Sequence, residues 1–166
     1  MQQDQSTMQG EEQLRTLRRF SFGAVQTDIS LVGKLIIEKY LGIPYAHRGR
    51  TIDGLDCWGF LKLVYADLGF KLFDIEDLEY EKNWGLRGRD YFKEHYQNDW
   101  ETVDVPMMLD GVLFVNSRGI AYHAGVVLDE ERFIHCCRAG VVIGRHKSVE
   151  WSKKIKGYYR LKGRSW

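Results

Sequence analysis

Apolar side chains between residues 57 and 68 recur at spacings of three and four, the period of one buried face of a helix. Cys57 shares this face, because counting four, seven and eleven residues on from it reaches three of the apolar positions. Asp56 is a residue type that caps free amides at a helix start, and Gly69 is one that ends a helix. The pattern therefore predicts a helix that begins at Cys57. Its apolar residues are Phe60, Leu61, Leu63, Val64 and Leu68.

A second amphipathic helix is predicted upstream, over residues 27–41, and Gly42 and Pro44 end it. Its apolar positions are Ile29, Val32, Leu35, Ile36 and Tyr40. Residues 74–104 are polar and aromatic, with only a weak helical period around residues 90–97. This composition indicates an excursion over the surface.

After Pro106 the sequence changes to short β-branched runs that are separated by glycine, asparagine and charged residues. Five runs predict strands in an antiparallel meander: VLFV, HAGVVL, RFIHCC, VVIGR and GYYRL. Helices first and strands afterwards are typical of an α+β fold. We expect a sheet of about five strands that packs against the helix of Cys57.

The composition is that of an ordinary globular protein, since 44% of the 166 residues are hydrophobic and 28% are charged. We expect one domain over residues 23–166 and, before it, a flexible or partner-docked arm over residues 1–22, which has few apolar anchors. The formal net charge of +1 gives no reason to expect a nucleic-acid partner. No run approaches the roughly eighteen apolar residues of a membrane span. The start of the chain lacks the apolar segment of a secretion signal.

Cys57 is the first candidate for chemistry because of its position at a helix start. The free amides and the dipole there stabilise a thiolate, which can bring the pKa of a cysteine from roughly 8.5 down by one or more units. The alternative is a small buried hydrophobe, as most free cysteines are. A nucleophilic thiol also needs an imidazole that takes its proton and a third group that orients the imidazole.

Two histidines, His123 and His135, lie on consecutive predicted strands. They share a face only if the connecting loop has an odd number of residues, and residues 129–131 make such a loop, so we expect the rings to lie within hydrogen-bond reach. A zinc site that adds Cys136 or Cys137 is the alternative. Neighbouring strand residues point to opposite faces and no Cys-x-x-Cys pair exists, so no metal is expected. The remaining histidines are expected at the surface: His47, His95 and His146.

Three segments together resemble the NlpC family of cysteine peptidases, bacterial and phage cell-wall endopeptidases with a papain-like core. Residues 41–60, LGIPYAHRGRTIDGLDCWGF, are similar to the family's segment in which a Pro-Tyr loop leads to Asp-Cys at a helix start. Residues 123–128, HAGVVL, are similar to its histidine strand, and residues 133–135, FIH, to the next strand, which bears the third catalytic group. The resemblance spans roughly residues 28–160.

The resemblance implies Cys57 as the nucleophile, His123 as the general base and then acid, and His135 as the group that orients His123. The hydroxyl of Tyr45 would help to bind the oxyanion, beside the backbone N–H of Cys57. Asp56 would receive the free amine of the peptidoglycan stem peptide, in addition to its capping role. No cofactor is implied.

Two departures from the family pattern stand out. Trp58 occupies the position where many members have a small serine, which implies a changed substrate contact. Asp110 and Gly111 reverse the usual Gly-Asp before the first strand, which concerns only a turn. The Asp-Cys-Trp-Gly variant, with the closing GYYR at residues 157–160, is most similar to members encoded by tailed phages, where the enzyme is part of the tail tip.

The function that the resemblance implies is a thiol endopeptidase that hydrolyses peptidoglycan in a virion and aids delivery of phage DNA. The lack of a secretion signal agrees with a virion component, and other tail-tip proteins would then be partners of the N-terminal arm. One alternative is a structural tail-tip protein with weak or no activity. The other is a related thiol hydrolase or acyltransferase on a different amide or ester.

Overall fold

The computed structural model describes residues 29–73, 87–95 and 99–164, so the arm predicted for residues 1–22 lies outside the described residues. Three helices occur in these ranges: α1 (Ile29–Tyr40), α2 (Cys57–Asp67) and α3 (Tyr91–His95). Eight strands accompany them: β1 (Arg50–Thr51), β2 (Gly54–Leu55), β3 (Trp100–Val103), β4 (Gly111–Val115), β5 (Ala121–Val127), β6 (Arg132–Cys137), β7 (Gly140–Arg145) and β8 (Ile155–Leu161). Within the same ranges, no helix combines the length and the apolar character that a membrane crossing requires.

The main sheet has six strands in the order β3-β8-β4-β5-β6-β7, and every neighbouring pair in it is antiparallel. Strands β1 and β2 form a separate small hairpin just before α2. The fold is therefore α+β, as predicted, with an antiparallel sheet against the helix that begins at Cys57.

The predicted meander of five strands is wrong in two respects. Trp100–Val103, which the sequence assigned to a surface excursion, is the edge strand β3 and pairs with β8. Strand β8 lies between β3 and β4 instead of following β7 at the far edge. Hydrophobic alternation predicts that a segment is a strand, whereas the partner of that strand depends on contacts between segments distant in the chain.

Two apolar clusters cover the two faces of the sheet. The first cluster contains residues of α1 and α2 together with Ala124, Val126 and Ile134 from the sheet. The second cluster consists of Val112, Phe114, Val127, Phe133 and Trp151. Consecutive residues such as Val126 and Val127 belong to different clusters because successive strand side chains point to opposite faces. The start of α2 thus meets β5 on one face, and an aromatic layer covers the other.

Candidate active site

The first turn of α2 is fixed by Asp56, the N-cap residue. Its Oδ1 accepts hydrogen bonds from Gly59 N at 2.7 Å and from Arg50 Nη1 at 2.8 Å. The predicted cap is therefore confirmed, and Arg50, which the sequence did not single out, neutralises the carboxylate. Asp56 is only 5% exposed. Its predicted contact with a substrate amine stays a prediction.

Gly59 allows the β1–β2 hairpin to pack directly on this first turn. A Cβ at Gly59 would lie 1.9 Å from the carbonyl oxygen of Gly49, so no other residue type fits without moving the hairpin. Arg50 follows Gly49 in the chain and reaches Asp56 from the hairpin. The glycine of the Asp-Cys-Trp-Gly motif thus holds the loop that carries the partner of Asp56.

Cys57 lies at the point where strands β5 and β6 separate. The two strands pair at Val126 and Val127 but not further toward the start of β5. The backbone amide of Ala124, which in a continued ladder would bond to β6, instead lies close enough to the Cys57 thiol to lower the pKa of that thiol. The thiol is therefore placed against the backbone of the residue that directly follows His123.

The Cys57 thiol is protonated in the resting protein, contrary to the thiolate that its helix position predicted. Burial and, next, the charge of Asp56 raise its pKa to about 12, although the Ala124 amide and Arg50 act in the opposite direction. The helix dipole argument fails here because the same helix start carries a carboxylate and because the half-buried thiol packs against the first cluster. A thiolate at this position requires an additional stabilising group.

His123 and His135 contact each other, as the loop of three residues predicts. His123 Nε2 and His135 Nδ1 are 2.7 Å apart, and the two rings meet edge to face. The rings are diagonal neighbours, since Val126 pairs with Ile134 and the register places Gly125 opposite His135. The exposed fraction is 8% for His123 and 1% for His135. This contact leaves His123 Nδ1 as the nitrogen available for proton exchange.

Both imidazoles are neutral at neutral pH. Burial is the main cause that lowers the pKa of His123 to about 3, and the charges of His135 and Lys154 lower it further. Burial also lowers the pKa of His135 to about 4. With Cys57 protonated, the resting site contains an uncharged thiol and uncharged imidazoles.

The two imidazoles belong to the aromatic side of the sheet. Phe114 and Trp151 contact both rings, whereas the side chain of Ala124 packs in the first cluster with α2. Among the hydrogen bonds of the described residues, none joins Cys57 directly to His123. The thiol thus approaches the histidine strand through the opening between β5 and β6. Bonds between catalytic groups are often loose before substrate binds.

Tyr45 lies close enough to Cys57 for the charge of that residue to act on its phenol. Burial is the largest cause that raises the pKa of its phenol, followed by the charges of Asp56 and Cys57. A raised pKa keeps the hydroxyl protonated, so it remains a hydrogen-bond donor. The backbone of Tyr45 also bridges to Leu55, two residues before Cys57.

Tyr122 is a neighbour of the thiol that sequence reasoning missed. The pairing of β4 with β5 shifts between Phe114 and Val115, which makes Tyr122 the extra residue of a β-bulge. The bulge turns Tyr122 to the face of His123, and both pack with the second cluster. Burial and then the charge of Cys57 raise the pKa of its phenol. A bulge interrupts the strict alternation on which a strand prediction rests, so no sequence signal marked it.

Trp58 is a core residue in this structure. It is 6% exposed, its Nε1 donates to Phe73 O at 3.2 Å, and its ring meets Phe92 edge-on at 5.9 Å. With Leu61 and Trp100 it lines an apolar pocket. This packing explains the tryptophan without a substrate, and the substrate contact predicted for it stays a prediction.

The remaining sequence candidates divide between core and surface. His146 is 5% exposed. Its Nε2 lies 3.1 Å from Arg132 O, and its Nδ1 lies 3.1 Å from the hydroxyl of Tyr158. The surface position expected for His146 is therefore wrong.

The other candidates from the sequence take no part in the site. The Sγ of buried Cys136 donates to Leu55 O at 3.0 Å. His47 is half-buried, and the side chain of His95 lies outside the described set. In the described parts of the chain, no three His, Cys, Asp or Glu side chains are grouped to hold a metal ion.

Gly125 provides the space that His135 occupies. A Cβ there would lie 2.9 Å from Ile134 O and 3.1 Å from His135 Cβ. We expect Gly125→Ala to lower the free energy of unfolding by roughly 1–3 kcal/mol and to disrupt the His123–His135 contact. Urea unfolding and histidine ring NMR measure the two effects.

Gly157→Ala is the matched control for this change, because the nearest atom to its added Cβ is 3.6 Å away, an ordinary contact. Equal loss of stability in the two variants, or an unchanged histidine contact in Gly125→Ala, would contradict the close packing at Gly125.

An α+β fold with a thiol at a helix start, beside two neighbouring strands that each carry one histidine of a contacting pair, defines the papain-like class. Within that class the chain belongs to the NlpC/P60 family, whose family model matches residues 42–160. The matched region contains α2, the β1–β2 hairpin and both histidine strands.

Similar proteins agree with this assignment. A probable endopeptidase from Haemophilus influenzae is 29% identical over 117 residues, which are 69% of this chain and 64% of that protein. An NLP/P60-family protein from Staphylococcus aureus, described as similar to lipoprotein, has a TM-score of 0.62 at 19% identity. The match covers 87% of this chain and 45% of the Staphylococcus aureus chain. The peptidoglycan hydrolase RipB from Mycobacterium tuberculosis has a TM-score of 0.51 at 14% identity, and the match covers 99% of this chain and 88% of the RipB chain. The chain thus spans less than two thirds of the length of the Haemophilus influenzae and Staphylococcus aureus proteins. The similarity to the two solved structures establishes the fold alone.

Proposed function

We propose that this protein is a thiol endopeptidase that cuts peptide bonds in the stem peptides of bacterial peptidoglycan. The observation that carries the proposal is the contact of 2.7 Å between His123 Nε2 and His135 Nδ1. Ala124, which directly follows His123, has its backbone amide close enough to the Cys57 thiol to lower the pKa of that thiol. A nucleophile, a base and an orienting group are the parts that covalent acyl transfer needs. The similarity to a probable endopeptidase supports cleavage of a peptide bond, and the similarity to the peptidoglycan hydrolase RipB supports peptidoglycan as the substrate.

The proposed reaction begins from uncharged groups. His123 Nε2 and His135 Nδ1 are 2.7 Å apart, and the tautomer that this reaction uses has the hydrogen on His123 Nε2, which leaves Nδ1 of His123 as the basic nitrogen. As Cys57 Sγ attacks the amide carbonyl, its proton moves to that nitrogen, and the resulting imidazolium gives the proton to the leaving amine. This step leaves a thioester on Cys57. Water that loses a proton to His123 then attacks the thioester, releases the carboxylic acid and restores the thiol.

Tyr45 has the properties of an oxyanion donor in this reaction. Its hydroxyl stays protonated because burial and the nearby charges of Asp56 and Cys57 raise its pKa. A donor of this kind acts together with the backbone N–H of Cys57 on the negative oxygen of the tetrahedral intermediate. Loss of one such donor costs about 3 kcal/mol in well-studied hydrolases.

The test of the proposed function is digestion of purified peptidoglycan. We expect soluble fragments with new amino termini beside D-glutamate, identified by mass spectrometry, and no new reducing sugar ends. Peptidoglycans with different diamino acids in the stem should be compared, since the bond next to diaminopimelate is the first expectation. Absence of new amino termini from all of them, with hydrolysis of a simple ester or another amide instead, would favour a different thiol hydrolase.

We further infer a phage setting for this activity. Residues 23–166 would form the peptidase domain of a tail-tip protein in the virion, and residues 1–22 would dock on other tail proteins. The similarity of the Asp-Cys-Trp-Gly and GYYR segments to phage members supports this proposal. Detection of the protein in purified phage tails, with residues 1–22 protected from protease only there, is the expected result. Equal cleavage of those residues in free protein and in particles would contradict it.

A further inference from the structure

Trp151 lies against both imidazoles of the candidate active site, and no step of the proposed reaction uses it. Its ring stacks on His123 with centroids 5.8 Å apart and planes at 26°, and it meets the ring of His135 edge-on at 4.8 Å. It is 9% exposed and belongs to the second cluster. A group held on this indole therefore lies on a ring that contacts both histidines.

Lys154 is the group held on this indole. Its Nζ lies 4.8 Å from the centroid of the Trp151 ring, within cation–π distance. The backbone N–H of Lys154 also donates to Trp151 O at 2.8 Å, which fixes the turn that connects the two residues. Among the residues that the structure describes, Lys154 forms no ion pair, so no carboxylate there neutralises its charge.

We propose that Lys154, seated on the ring of Trp151, is a positioning residue that keeps the His123–His135 pair uncharged to lower pH than burial alone would, and so sets the acid limb of the activity. This proposal rests on the proposed function. Its physical reason is that a fixed ammonium group disfavours a second positive charge close to it. The pKa of His123 agrees, because Lys154 lowers it in addition to the larger effects of burial and His135.

The other titratable groups that face His123 do not supply a positive charge at neutral pH. His135 faces it from β6, and burial lowers the pKa of that imidazole to about 4. Cys57 of α2 lies beside the strand of His123, and the pKa of its thiol is raised. Tyr122 precedes His123 on β5, and the pKa of its phenol is raised as well. Strand β4 contributes the apolar ring of Phe114. Of the described residues, Lys154 is therefore the cation that acts on His123.

The test is a histidine titration of the full-length protein, isotope-labelled at histidine and followed by NMR from neutral pH to the lowest pH at which it stays folded. At that pH we expect the protonated fraction of His123 to be about three- to tenfold higher in Lys154→Met than in the unsubstituted protein. This difference corresponds to a His123 pKa that is higher by roughly half a unit to one unit. Lys154→Arg should leave the fraction unchanged. Lys154→Gln serves as a second neutral variant if Lys154→Met does not fold.

Lys153→Met is the matched control, because Lys153 is the exposed neighbour and its loss removes the same charge. An equal protonated fraction in Lys154→Met and the unsubstituted protein, or an equal rise in Lys153→Met, would overturn the proposal. On peptidoglycan, the acid limb of the kcat/KM profile should move to higher pH by the same amount in Lys154→Met. The titration does not depend on turnover, so it separates failure of this inference from failure of the proposed function.

Discussion

Cys57→Ala is expected to abolish the release of peptidoglycan fragments, with a loss of at least about 10³-fold in rate. The reason is that the proposed reaction passes through a thioester on this sulfur, for which alanine offers no substitute. The fold should persist, since the side chain that is removed is small and the cap formed by Asp56 and Gly59 remains. Fragment release is measured by chromatography and mass spectrometry, and folding by circular dichroism.

The chain supplies two matched controls for this variant. Cys137→Ala removes a half-buried thiol on the same strand as His135 and should leave the rate within about twofold. Cys136→Ala removes the hydrogen bond to Leu55 O and tests whether a nearby buried thiol contributes. Fragment release by Cys57→Ala at a rate comparable to the unsubstituted protein would remove the covalent mechanism. A matching loss in Cys137→Ala would point to general damage instead.

The parts of the site that depend on local sequence could be predicted. Capping by Asp56 and termination near Gly69 are set by residue types within one helix, and the observed helix begins at Cys57 and ends at Asp67. The contact of His123 with His135 follows from an odd loop between two strands, which the pairing of Val126 with Ile134 reproduces. Both inferences need only spacing along the chain and the geometry of one helix or one hairpin.

The parts that depend on burial could not be predicted. A helix start favours a thiolate in water, but the direction of the pKa shift at Cys57 is set by how completely the thiol is covered and by the position of Asp56. The surface position expected for His146 failed for the same reason, since β8 brings Tyr158 onto its ring. Burial is a property of the assembled sheet, and no single segment encodes it.

Asp110 forms a long-range contact that the residues next to it in the chain do not predict. Beside Gly111 it suggests only a turn, yet its carboxylate is completely buried. Arg160 donates to it through Nε at 3.0 Å and Nη2 at 2.8 Å, and Arg164 through Nη2 at 2.7 Å. Both arginines lie more than forty residues further along the chain. The interpretation that the Asp-Gly order concerns only a turn is therefore wrong.

Asp110→Ala is expected to lower the free energy of unfolding by about 3–5 kcal/mol, because it leaves two guanidinium groups near each other without the buried anion between them. Arg164 is the more costly of the two, since its side chain is 1% exposed against 25% for Arg160. Urea unfolding followed by tryptophan fluorescence measures the change. Glu94→Ala, which breaks the exposed pair with Arg89, should cost no more than about 1 kcal/mol.

A double variant separates loss of the ion network from simple loss of packing. Once Asp110 is absent, Arg164 is a buried charge without its carboxylate, so adding Arg164→Met to Asp110→Ala should cost much less than Arg164→Met does alone. Strictly additive losses would show that the two side chains act independently. The network also reaches the active-site helix, because Leu109 O accepts from both Tyr65 of α2 and Arg164. Asp110→Ala should therefore lose peptidase activity at a lower urea concentration than the unsubstituted protein, while Glu94→Ala should not.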